Sequence, residues 1–168
     1  MSEVERHKRA LPLGVVNGPT AVIDLLRLAE HTHGHLGWLA AAALAHPAIL
    51  LRDHRRRADL SVILSVLLVT AVAGLGFLLY VEYINLLKQQ MFLSAPRMGI
   101  LFERKEHLAF AAMILAWTAA VCYFGARAAR EPLRLRMRKA AHRGFVVSAA
   151  LCFAVAVMGT IVASYKTF

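Results

Sequence analysis

The chain has few of the residues on which catalytic sites and disulfide frameworks depend. Its 168 residues include two cysteines, Cys122 and Cys152, which lie in apolar segments without the spacing of a metal motif. We interpret both as small core residues and predict no disulfide. Ten acidic residues stand against twenty lysines and arginines, and no paired carboxylates, Ser-His-Asp set, P-loop or GxGxxG motif is present. The sequence therefore gives no support for a classical enzyme.

Apolar residues, in contrast, are abundant. They make up 59% of the chain, and the mean hydropathy is +0.56, both above the usual range of a soluble domain. Four stretches are almost free of charge, and at about 1.5 Å per residue most can cross a hydrocarbon core of roughly 30 Å. They are Leu36–Leu51, Leu60–Leu87, Leu108–Gly125 and Gly144–Ser164. Because the first is the shortest, we extend its start to Thr32. The sequence thus predicts an all-α protein with a four-helix transmembrane bundle over residues 32–168.

The first 31 residues have a different character. They contain basic residues but no adequate apolar core for a signal peptide, so we do not predict one. The segment Pro19–Glu30 interrupts apolar residues with Asp24, Arg27 and Glu30. This pattern is typical of a short amphipathic helix along the membrane interface. An extension of the first transmembrane helix is about equally consistent with it.

The loop arginines predict the orientation. The segments Arg52–Asp59 and Ala126–Arg143 are dense in arginine, whereas Lys88–Glu106 spreads fewer basic residues over more chain. By the positive-inside rule the first two are cytoplasmic. Both termini are then expected on the outer, periplasmic side of a bacterial inner membrane. The net charge of +10 is explained by contact of these loops with anionic lipid, so it does not indicate a nucleic-acid partner.

Four histidines lie at or inside the ends of the apolar stretches. His35 and His107 are expected at similar depth near the outer surface, and His46 and His142 near the cytoplasmic surface. His35 and His46 share one helix face, because eleven residues return to within roughly 20° of a whole number of turns. His54, just past the first helix, matches His142 in depth better than His46 does.

Histidines at two depths are what two stacked haem groups need, since neighbouring helices can supply the opposite axial ligands. In this placement the chain resembles the four-helix membrane-bound b-type cytochromes. The resemblance implies one or two haem b groups, with His35 and His107 on one iron and His46 and His142 on the other. It also implies electron transfer within or across the membrane, with other redox subunits or a quinone as partners.

Two other functions are open. The cluster His31, His33 and His35 offers neutral imidazoles for copper or zinc, and Met91 and Met98 could add thioether ligands for Cu(I). A copper-binding membrane protein is therefore one alternative. A non-redox accessory subunit of a respiratory or photosynthetic complex is another, since little protein lies outside the membrane to house catalysis.

Overall fold

The computed structural model describes residues 19–54, 56–86 and 88–165. Within these ranges the protein is all-α, with five helices and no strand. The helices are α1 (Pro19–Leu50), α2 (Asp59–Leu86), the short α3 (Lys88–Ser94), α4 (Pro96–Gly125) and α5 (Leu133–Ser164).

Helix α1 is continuous from Pro19 to Leu50. The segment Pro19–Glu30 is thus the first part of one continuous helix, and its position along the membrane interface stays a prediction. No proline interrupts the chain between Glu30 and Leu36, and Thr32 Oγ1 bonds to the Leu28 carbonyl oxygen at 2.8 Å. The predicted domain boundary between residues 31 and 32 falls inside this helix. Residues 1–18 lie outside the described ranges.

Three of the helices are long and apolar enough to cross a membrane. They are α2 over Asp59–Asn85, α4 and α5. Helix α1 is long enough but does not reach the same apolarity, because its charge-free second half includes His33, His35 and His46. The prediction of a membrane protein thus stands on three helices, and a fourth crossing by α1 stays a prediction.

Small residues let the long helices pack closely. Helix α1 packs against α5 and α2, and α4 packs against α5 and, less extensively, against α2. Alanines line the seams, with Ala40 on α1 and Ala112, Ala116 and Ala119 on α4 almost fully buried. A Cβ placed on Gly144 of α5 would lie 2.8 Å from Ala119 Cβ. Such small-residue seams are the common way in which apolar helices associate in membranes.

Pro47 creates a specific link between α1 and α2. Proline has no backbone N–H, so the carbonyl of Ala43, four residues earlier, loses its helical donor. The hydroxyl of Ser65 on α2, a residue that is 2% exposed, lies 2.5 Å from that carbonyl oxygen and 2.7 Å from the Ser61 carbonyl oxygen, and its single proton is shared between them. A carbonyl that its own helix cannot satisfy thus has a hydrogen-bond donor on the neighbouring helix.

A second polar link joins the start of α2 to the end of α4. The hydroxyl of Tyr123, a residue only 2% exposed, accepts from the Ala58 backbone N–H and donates to Asp59 Oδ1, each at 2.6 Å. Arg127 also binds Asp59 Oδ1. The hydrogen bond to Asp59 raises the pKa of the exposed Arg127 guanidinium. The loop between α1 and α2 is therefore held against the end of α4 by these contacts, in addition to the hydrogen bonds within the loop itself.

Candidate functional site

Two histidine rings meet near the arginine-rich end of the helices. His54 lies in the turn that follows α1, and His142 lies on α5. Their ring centroids are 5.8 Å apart, and the ring planes are inclined at 56°. His54 is the residue that depth favoured over His46 as the neighbour of His142.

Each of these rings is fixed through the same nitrogen. His54 Nδ1 lies 3.0 Å from the Leu51 carbonyl oxygen, and His142 Nδ1 lies 3.0 Å from that of Ala48. A carbonyl oxygen only accepts hydrogen bonds, so each Nδ1 carries the proton and each Nε2 keeps its lone pair. This is the usual state of a metal-ligating histidine, whose second nitrogen donates to a carbonyl or carboxylate. The pair can thus offer two neutral imidazole ligands.

Arg138 holds the loop that carries His54. Its Nη1 atom donates to the carbonyl oxygens of His54 at 2.5 Å and of Arg56 at 3.5 Å. Arg138 and His142 are four residues apart on α5 and therefore lie on the same face. One face of α5 consequently supplies one imidazole directly and positions the other through the loop backbone.

An apolar groove of about 370 Å³ runs along the seam of α1 and α5 beside His142. It is lined by Ala45, Ala48 and Ile49 on α1, by Arg52 in the turn that follows, and by His142, Val146 and Ala149 on α5. Each set has the three- and four-residue spacing of a single helix face. The groove therefore has apolar walls along most of its length and the basic residue Arg52 at one end.

The charges around the pair are mostly positive. Arg52 lines the groove with His142, and Arg138 binds the His54 carbonyl. The nearby carboxylate of Asp53 forms an exposed ion pair with Arg56, with 3.8 Å between Arg56 Nε and Asp53 Oδ2. A bare divalent cation is disfavoured among guanidinium groups, whereas a ligand that brings its own carboxylates or phosphate is favoured.

The outer pair is not assembled in the same way. His35 and His107 are both exposed. His35 lies roughly 140° and 180° around α1 from the buried Ala40 and Leu44, and His107 lies on the side of α4 opposite Ala116. His107 Nδ1 is 2.7 Å from the Glu103 carbonyl oxygen. Both rings face away from the packed interior, so a haem does not fit between them within one chain.

His46 has a different neighbour from the one predicted. Its Nδ1 lies 2.9 Å from Ser61 Oγ on α2. In the described part of the chain, no hydrogen bond or ring contact joins it to His142. The inner pairing that the structure brings together is thus His54 with His142.

The candidate copper cluster is divided by the helix. His31, His33 and His35 all lie on α1, where a step of two residues turns the side chain by about 200°. The His33 ring packs against Gly76 of α2, where a Cβ would lie 2.9 Å from His33 Cε1. The described residues contain no group of three or more His, Cys, Asp or Glu that could hold a metal ion.

Sequence reasoning found the two histidines but missed the groups that orient them. The Ala48 and Leu51 carbonyls and the Arg138 contact depend on how α1 ends, which composition does not specify. The four-residue spacing of Arg138 and His142 was the available signal. Comparisons with protein families, curated proteins and solved structures find no match to this chain.

Proposed function

We propose that this chain is a membrane-embedded electron carrier that binds one b-type haem near its arginine-rich end, with His54 and His142 as the axial ligands. The observation that carries the proposal is the pair of rings 5.8 Å apart, each with Nδ1 hydrogen-bonded to a backbone carbonyl. His54 and His142 would hold the iron, and two imidazoles bound to one haem iron would have their ring centroids roughly 6 Å apart. The donor set and its spacing are thus compatible with bis-imidazole ligation.

The surroundings favour haem over a bare metal ion. Arg52 and Arg138 can bind carboxylates, which a haem carries and an isolated copper or zinc ion does not. The apolar seam of Ala45, Ile49 and Val146 provides contact for a macrocycle edge. A haem iron with two imidazole ligands transfers single electrons and has no open position for a substrate.

In this proposal the chain itself has three tasks. The Leu51 and Ala48 carbonyls hold the Nδ1 protons and so direct both Nε2 lone pairs away from the backbone. Arg138 fixes the loop that carries His54. The loops rich in arginine are expected on the cytoplasmic side, so the site would exchange electrons near that surface with other membrane redox subunits or a quinone.

The first test is the optical spectrum of the purified full chain, expressed with haem supplied. We expect Soret and α bands of a low-spin, six-coordinate haem at one haem per chain. Two haems per chain would instead support a second haem at the outer histidines His35 and His107, with its remaining ligands supplied by another copy of the chain. A colourless protein with stoichiometric copper or zinc would refute the haem proposal.

A non-redox accessory subunit is the second candidate. It is favoured by the outward direction of His35 and His107, because polar side chains on the outer surface of a helix can serve contacts with another subunit. A colourless, metal-free protein that co-purifies with a larger membrane complex would support this candidate and contradict the electron carrier.

A further inference from the structure

Two histidines of α1 form a pair on the side of the helix that faces away from the packed interior. His31 and His35 are four residues apart, so their side chains point within about 40° of each other. Both are exposed, and they lie about 140° to 180° around α1 from the buried Ala40 and Leu44. His33, between them, packs against α2 instead. The helix therefore separates His33 from the cluster and leaves the other two histidines together.

The rings of the His31/His35 pair are not engaged by the described part of the protein. Four other histidines place Nδ1 within 3.0 Å of a protein oxygen, namely His46, His54, His107 and His142. Within the described ranges no hydrogen bond or ion pair joins either ring of the pair to another residue. Imidazoles that face outward near the surface of a membrane are costly unless a partner binds them. The nitrogens of the pair are thus available to a ligand from outside the chain.

Histidines at this spacing can bind one metal ion together. Side chains four residues apart on a helix have Cβ atoms about 5–6 Å apart. Two histidines at the same spacing bind zinc in the H-E-x-x-H motif of metalloproteases. A structural zinc site, however, is almost always tetrahedral with four protein ligands. One chain therefore supplies half of such a site on this face of α1.

The same face of α1 continues with residues suited to contact with a second helix. Trp38 is 40% exposed, and Ala42 is exposed as well. Together with the histidine pair they follow steps of four, three and four residues, which is the spacing of the contact face between paired parallel helices. Copies of one chain insert into a membrane in the same orientation. A two-fold axis along the membrane normal therefore places both histidine pairs at the same depth.

We propose that two copies of this chain bind one Zn²⁺ ion between their α1 helices, with His31 and His35 of each copy as the four ligands. The second copy supplies the two imidazoles that one chain lacks, and its α1 covers the exposed Trp38. Zinc accepts neutral imidazole nitrogens in tetrahedral geometry, and no carboxylate or thiolate is needed. The site lies at the membrane surface opposite to the arginine-rich end.

The zinc site does not rest on the proposed haem. About 15 Å of helix separates His35 from Ala45, the first residue that lines the groove beside His142. His54→Ala is therefore expected to lose the haem and to keep the response to zinc, whereas His31→Ala should do the reverse. The optical spectrum and the zinc content of one preparation thus distinguish failure of the two proposals.

The test measures oligomeric state and zinc content of the purified full chain in detergent. The chain is first treated with a chelator and then titrated with Zn²⁺ or, in parallel, with Mg²⁺. We expect Zn²⁺ to convert monomers to dimers in native mass spectrometry, with one zinc ion per two chains. Mg²⁺ should have no effect, because it prefers oxygen ligands. Zinc bound by monomers at one ion per chain, no retained zinc, or equal dimerisation by Mg²⁺ would overturn the proposal.

The matched variants each remove one exposed histidine. His31→Ala and His35→Ala should weaken zinc binding by more than about 10-fold, since even loss of a group that only orients a ligand costs about 10- to 100-fold. Both should also lose the zinc-dependent dimer. His107→Ala is the control, because His107 is exposed on α4 and should leave both measurements unchanged. Unchanged zinc binding in His31→Ala and His35→Ala, or an equal loss in His107→Ala, would contradict the assigned ligands.

Discussion

At the scale of single residues, two backbone carbonyls determine what His54 and His142 can do. An imidazole whose Nδ1–H is occupied by a carbonyl presents a lone pair at Nε2, whereas a ring without that partner can adopt either tautomer. The Leu51 and Ala48 oxygens both lie near the end of α1, where helical carbonyls lack donors. Carbonyls near the end of α1 therefore fix the tautomer of both histidines.

The buried Tyr123 hydroxyl gives a prediction at this scale. Tyr123→Phe removes the acceptor of the Ala58 N–H and a donor to Asp59. We expect the free energy of unfolding to fall by about 1–3 kcal/mol, because a buried N–H is left unpaired. Reversible unfolding in detergent measures the change.

Tyr165→Phe is the matched control for this change, since Tyr165 is 63% exposed. It should alter stability by less than about 0.5 kcal/mol. Equal effects of the two substitutions would contradict the role assigned to the Tyr123 hydroxyl.

Single residues were the least predictable level of the site. Pattern and depth identified His142 and gave His54 as an alternative, because both depend only on where apolar runs end. The Ser61 contact of His46 and the Gly76 contact of His33 depend on helix rotation about the axis. Rotation is set by side-chain packing between helices, and the charge-free stretches alone carry little information about it.

At the scale of elements, the close approach of α4 and α5 depends on the absence of a side chain at Gly144. Gly144→Ala would place a methyl group 2.8 Å from Ala119 Cβ. The helices must then separate, and we expect a loss of about 1–3 kcal/mol in the free energy of unfolding. Thermal unfolding in detergent tests this expectation.

Gly74→Ala is the control on another helix. A Cβ at Gly74 meets nothing within 4 Å, so alanine should be neutral or stabilising by about 0.5–1 kcal/mol through helix propensity. If both variants lose stability equally, close packing at Gly144 is not the reason.

The all-α class was predicted correctly from the sequence, whereas the short α3 and the start of the first helix were not. Leu60–Leu87 and Gly144–Ser164 lie within or close to α2 and α5, since long uncharged runs leave few alternatives to a helix. The first helix begins at Pro19, earlier than the predicted Thr32. The charged residues along Pro19–Glu30 are compatible with a helix that lies along the membrane interface and equally with an extension of the transmembrane helix. Periodicity cannot separate those two arrangements.

At the scale of the whole molecule, the distribution of arginine gives a topology that can be tested. The account expects the loop before α5 on the cytoplasmic side and the α3 region on the periplasmic side. The variants Arg136→Cys and Gln90→Cys each add one cysteine at an exposed position, which can be labelled in intact cells with a membrane-impermeant maleimide.

Gln90→Cys should react in intact cells, and Arg136→Cys only after permeabilisation. The native chain serves as the background control, because Cys152 is buried and Cys122 is partly buried. Labelling of Arg136→Cys alone in intact cells would reverse the orientation. It would also place the proposed haem at the opposite membrane surface.

The measurement that tests the central claim most directly compares the haem spectra of His142→Ala and His107→Ala with that of the native chain. Both substitutions remove one imidazole, but His142 faces His54 and His107 faces outward. The account predicts that His142→Ala loses the low-spin six-coordinate spectrum and that His107→Ala keeps it at one haem per chain. An unchanged spectrum in His142→Ala, or its loss in His107→Ala with His142→Ala intact, would contradict the account.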